Sequence, residues 1–166
     1  MQHKRKRLPA GTMYVQQPDA VDDAATVLQL LRRAGFGHLV STDESARLTA
    51  AGLPFLADDD MTRVRAHIAR ANDHWRHLES VAVTLIVPVS DADVSPIWDP
   101  SKVADPRVVP TRNDEVAHLH GTVHGHDDPA FIDRQVPAIV GVELVVCRLE
   151  AKRKLSQNPA ESDERE

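Results

Sequence analysis

Three observations predict a mainly β protein, a closed or nearly closed barrel with peripheral helices. Six segments carry strand patterns, either rich in β-branched residues or alternating in polarity. Only two segments carry helical patterns. Strands and helices do not alternate as a parallel sheet would require, so the strands are expected to pair antiparallel.

The first element is a helix over Asp19–Arg33. Val21, Ala25, Leu28 and Leu31 recur at helical spacing, and Ala24 and Val27 widen the apolar stripe. Arg32 and Arg33 suit the negative end of the helix dipole, and Gly35 can end the helix in a left-handed conformation. Phe36–Thr42 and Ala46–Leu56 flank the turn Asp43-Glu-Ser and form a predicted hairpin. After Asp58-Asp-Asp60, Val64, Ala66 and Ile68 alternate with Arg65, His67 and Ala69, giving a third strand with Arg65 and His67 on one side. Ala71–Glu79 is a short helix, capped by Asn72 or Asp73 and anchored by Trp75 and Leu78. Val81–Val89 is a central strand. Pro96, Pro100, Pro106 and Pro110 make the next stretch an irregular loop. Glu115–His126 and Ala138–Ala151 are the last two strands.

At 166 residues the chain accommodates one domain with a full core. A net charge of -5 gives no general reason to expect nucleic acid as a partner. The basic stretch His3–Arg7 and the acidic stretch Glu161–Glu166 lack apolar residues able to offset ordering entropy. Residues 1–12 and 159–166 are therefore expected to be disordered tails around a domain at 13–158. The basic tail is read as a solvated leader, or as residues ahead of a start at Met13, in preference to an arm that touches DNA or RNA. The single cysteine, Cys147, excludes an internal disulfide framework and is expected to be a small buried hydrophobe. No apolar run reaches the ~18 residues a membrane helix needs, and no secretory pattern follows the basic start, so a cytoplasmic protein is expected.

The chemistry concentrates in Val94–Lys102, Val108–Asn113 and His118–Gly121, where apolar residues alternate with a tryptophan, a lysine, hydroxyls and an amide. Such a sheet lines a pocket for a flat anionic ligand. His67 is a candidate metal or haem ligand, or a hydrogen-bonded strand histidine. His118, His120, His124 and His126 share parity in one strand and so share a face. His118 and His120 stand at chelating spacing, but no carboxylate or cysteine completes a ligand pattern, so they are read as exposed histidines and no metal is predicted. Lys152-Arg-Lys154 places Lys152 and Lys154 on one side and Arg153 on the other.

Several motifs then occur in one order: Leu53-Pro-Phe-Leu56, His67-Ile-Ala-Arg-Ala-Asn72, Val94-Ser-Pro-Ile-Trp98 with Pro100-Ser-Lys102, Val109-Pro-Thr111 with Asn113, His120-Gly121 and Lys152–Asn158. From about Met13 to Asn158 the chain resembles the PaiB-type FMN-binding negative transcriptional regulators. The resemblance implies a six-stranded FMN-binding split barrel that forms a homodimer with clefts at the subunit interface. It carries over His67, Arg70, Asn72, Ser95, Trp98, Lys102, Thr111 and Asn113 as cofactor-binding residues. Arg70, Lys102 and Arg112 would meet the FMN phosphate, Ser95, Thr111 and Asn113 would hydrogen-bond, and Trp98 would wall the ring. The implied function is regulation through the bound cofactor, with direct DNA binding unsupported. The alternative is a haem- or flavin-dependent enzyme of the same fold, either a former of N–N bonds like the piperazate synthases or a flavin oxidoreductase, with His67 as haem ligand in the haem case. The chain departs from the family pattern at Gly52, Asp99, Arg112 and Asp114.

Overall fold

The computed structural model describes residues 13–43, 45–79, 81–94, 111–126 and 138–155. Both predicted tails and the proline-rich loop after Val94 lie outside that set. The strands are Phe36–Thr42 (β1), Leu48–Ala57 (β2), Arg63–Ala69 (β3), Ala82–Val94 (β4), Thr111–His126 (β5) and Ile139–Lys154 (β6). They close into a barrel in the order β1-β2-β3-β6-β5-β4, with β4 returning to β1 and every pair antiparallel. Each strand has two neighbours, with β2 and β3 meeting only over Phe55–Ala57 and Val64–Ala66.

Alternation decides what faces inward. β3 alternates exposed and buried residues throughout, with Val64, Ala66 and Ile68 inside and Arg65 and His67 outside, as its sequence predicts. Leu53, Leu85, Leu119 and Val87 meet in the core at 0–1% exposure. Each such side chain removed from water contributes about 1.5–3 kcal/mol. The pocket along the barrel interior is lined only by aliphatic residues, among them Leu39, Val64, Leu85 and Leu144.

The helix is shorter than its periodicity suggests. α1 spans Ala24–Ala34, because Asp23 takes the cap position and its carboxylate accepts from the Thr26 N–H at 2.8 Å. The residues before it belong to the barrel: Ala20 bridges Lys152, and the Val21 N–H donates to the Ala151 carbonyl. With that start, Val27, Leu30 and Leu31 form the buried face, and Leu28 lies at its margin. Gly35 ends α1 at φ 57°, the left-handed conformation expected of it. The second predicted helix is a 3-10 turn over Asp73–His77, capped by Asn72.

Two irregularities re-aim side chains. β4 slips register between Pro88 and Ser90, where proline has no N–H to give the ladder. On β6, Arg148 pairs with His120 and Val146 with Gly121, so Cys147 is an extra, bulged residue. Before this bulge the even positions Val140, Val142 and Leu144 are buried, whereas after it Ala151 is buried. Cys147, at an odd position of β6, is exposed, contrary to the buried position its apolar run predicts.

Candidate functional site

His67 lies on the outer face of β3, exposed, directly opposite Gly141 of β6. Just past the strand, the Arg70 N–H donates to the Ala138 carbonyl at 2.8 Å and its guanidinium to the Ile139 carbonyl at 3.0 Å. The Asn72 Oδ1 accepts from the His74 N–H at 3.1 Å, and the Trp75 indole N–H donates to the Arg70 carbonyl at 3.1 Å. Asn72 therefore shapes the turn, while His67 and Arg70 stand exposed at one end of the barrel.

Thr111 opens β5 opposite Val94, and Asn113, half-buried, pairs with Ala92. In the sheet, the row of His67 runs through Gly141 to His126, the far end of β5. Asn113 and His126 are 13 residues apart on one strand, which at ~3.3 Å per residue is on the order of 40 Å along the chain. One protomer thus places His67 and Arg70 at one end of the barrel and Thr111 and Asn113 at the other. Ser95, Trp98 and Lys102 lie outside the described residues.

Three cations at the Asn113 end are engaged by local carboxylates. Arg112 forks onto Asp91, whose carboxyl that hydrogen bond holds below its ordinary value. The Lys152 ammonium donates to Asp114 at 2.8 Å and the Arg153 Nε to Glu115 at 2.7 Å. Glu115 is buried and also accepts from Arg33 of α1 and from the Ser90 hydroxyl, the latter at 2.7 Å. Burial raises its pKa, but the hydrogen bonds from Ser90 and Arg153 and the charge of Arg33 outweigh that and leave it lowered. Glu115 carries no local signal in the sequence, because its partners come from three other elements.

On the outer face of β5, His118 and His120 point the same way, as parity predicts, with ring centroids 6.1 Å apart. The His120 Nδ1 contacts the Thr84 hydroxyl of β4 at 3.0 Å, and its Nε2 contacts Glu150 Oε2 of β6 at 2.9 Å. Burial chiefly, and the neighbouring charge of His120, push the His118 pKa down. Glu150 is the carboxylate that the ligand spacing along β5 lacks. It is an even position of β6 and would face inward without the bulge at Cys147.

Comparison with known proteins agrees with this architecture. Residues 13–152 match the family described as "Putative FMN-binding domain". A Saccharomyces cerevisiae protein, YKL070W, is 30% identical over 70% of this chain, which spans 66% of that protein, just under two thirds. The Bacillus subtilis protease synthase and sporulation protein PAI 2 is 24% identical over 91% of this chain and 85% of its own length. Among solved structures, the FAD and heme binding protein of Mycobacterium smegmatis superposes with a TM-score of 0.63 at 12% identity, covering 82% of this chain and 73% of that one. That identity supports likeness of fold alone. With its six-stranded barrel and a family match over nearly the whole described chain, this protein belongs to the PaiB-type FMN-binding domain family.

Proposed function

We propose that the protein is a homodimer that holds FMN outside the barrel, at the seam between two copies, and acts as a negative transcriptional regulator through that bound cofactor. The domain carrying this function spans 13–158. The separation of His67 and Arg70 from Thr111 and Asn113 carries the reading. One site drawing on both groups needs two chains, and a two-fold axis sets the His67 end of one barrel against the Asn113 end of the other. Among the described residues, the pocket inside the barrel is lined by aliphatic side chains, which offer nothing to a phosphate. Exposed His67 and Arg70 fit an anionic, flat group. Bound there, FMN would supply redox chemistry, with Arg70 and Lys102 holding charge, Ser95, Thr111 and Asn113 hydrogen-bonding, and Trp98 walling the ring. Regulation through the ligand rather than through direct DNA contact accords with the net charge of -5 and with α1 packing its buried face on the barrel.

The exposed imidazole of His67 favours a second reading, a haem- or flavin-dependent enzyme in which His67 ligates haem. Absorption spectra of the purified protein, before and after addition of FMN or hemin and desalting, test both readings, with mass measured by light scattering. The first reading expects a dimer that retains flavin. The second expects a haem Soret band that disappears in His67→Ala. A monomer that stays colourless after both additions refutes the two together.

A further inference from the structure

We propose that His118, His120 and Glu150 form a binding site for a divalent transition-metal cation of the zinc type on the outer face of the barrel. One potential ligand atom from each of the three lies within 4.8 Å of the other two. Zinc bonded at about 2.0–2.1 Å in a tetrahedron holds its ligands roughly 3.3 Å apart. Side-chain rotation closes the difference, because the backbone already sets the frame. His118 and Glu150 are directly opposed across β5 and β6, and His120 opposes Thr84 across β5 and β4.

The surroundings suit an ion. The Thr84 hydroxyl occupies Nδ1 of His120 and leaves Nε2 facing the Glu150 carboxylate. That is the support a metal-bound imidazole ordinarily has from its outer partner. Without metal, a proton on Nε2 joins it to Oε2; with the cation on Nε2, the neutral ring carries its proton on Nδ1 and donates it to the Thr84 hydroxyl. Two imidazoles and one carboxylate leave a fourth position for water, and the side chains of His120 and Glu150 retain 16% and 19% of their exposure, so solvent reaches it. Among the described residues, the Met13 N–H at 3.4 Å and the Arg148 guanidinium at 3.8 Å also approach Glu150 Oε2. Arg148 is the cation with which a bound metal competes. The bulge at Cys147 is what turns Glu150 outward, so an irregularity in the ladder assembles the donor set.

The test is a titration of Zn²⁺ into full-length, tag-free protein stripped with a chelator, read by competition with a chromophoric chelator. The parent binds one Zn²⁺ per chain. His118→Ala and the near-isosteric Glu150→Gln lower affinity by roughly 100-fold or more, and Thr84→Val by about 10–100-fold, as loss of an outer partner does. Arg148→Gln tightens binding, and His77→Asn, remote from the cluster, leaves it unchanged. Circular dichroism and melting curves establish that each variant is folded. No Zn²⁺ bound by the parent, or a folded Glu150→Gln that binds as tightly as the parent, overturns the proposal. Neither result bears on flavin retention, which is read separately.

Discussion

Replacing Glu115 by alanine is expected to loosen the barrel from its helix. This carboxylate sits on β5 with its side chain 6% exposed, and it receives Arg33 from α1, Ser90 from β4 and Arg153 from β6. Breaking a buried ion pair typically costs about 3–5 kcal/mol, because the surviving charge is stranded. Here the survivors escape part of that cost: the Arg33 side chain is 56% exposed and that of Arg153 31%, so both recover water. The expected loss is therefore smaller, about 2–3 kcal/mol. For a chain of this size that lowers Tm by roughly 5–10 °C. Thermal and urea unfolding at neutral pH measure it, and a double-mutant cycle with Arg33→Ala isolates the helix contact. Glu115 titrates low, so its contribution is present above the ordinary glutamate pKa and fades as pH falls through its lowered value. Glu115→Gln should therefore flatten the acid limb of the stability profile. A Glu115→Ala protein whose Tm lies within about 1 °C of the parent would refute the reasoning.

Two further outcomes follow from the same geometry. A Cβ on Gly121 would lie 1.9 Å from the Val145 carbonyl oxygen, so Gly121→Ala forces β6 away; it is expected to cost at least about 1–3 kcal/mol in unfolding assays and to weaken Zn²⁺ binding by displacing Glu150. His74 is 4% exposed and bonded to the Ser41 hydroxyl at 2.7 Å, and burial, then the charge of His77, lowers its pKa. As pH falls below the ordinary histidine value the unfolded chain gains a proton that the folded one refuses, so stability declines by up to about 1.4 kcal/mol per pH unit through that window. Melting curves between about pH 7 and pH 5 should show this slope for the parent and a shallower one for His74→Leu; equal slopes would refute it.

Most of the barrel was legible because its signals are local. The alternation of Val64, Ala66 and Ile68 with Arg65 and His67 fixed both the strand and its faces. Gly35 marked the end of α1 for a reason confined to its own φ angle. Asp23 carried the matching start signal, but the helical periodicity running back to Asp19 masked it. The pairing of Ala20 with Lys152 shows why: those residues follow β6, a partner no local pattern reveals. The candidate site was legible only in part. His118 and His120 share a face by parity, but Glu150 and Thr84 are on other strands.

The sequence by itself determined which segments extend, which face of each is apolar, and the order of motifs that marks the family. Tertiary structure alone decided strand neighbours, register and the bulge at Cys147. The physical reason is that a strand's side-chain period is two, so one extra residue exchanges inside for outside along everything that follows. Whether that residue is accommodated depends on hydrogen bonds to a strand distant in the chain. By that exchange Glu150 came to stand beside two histidines.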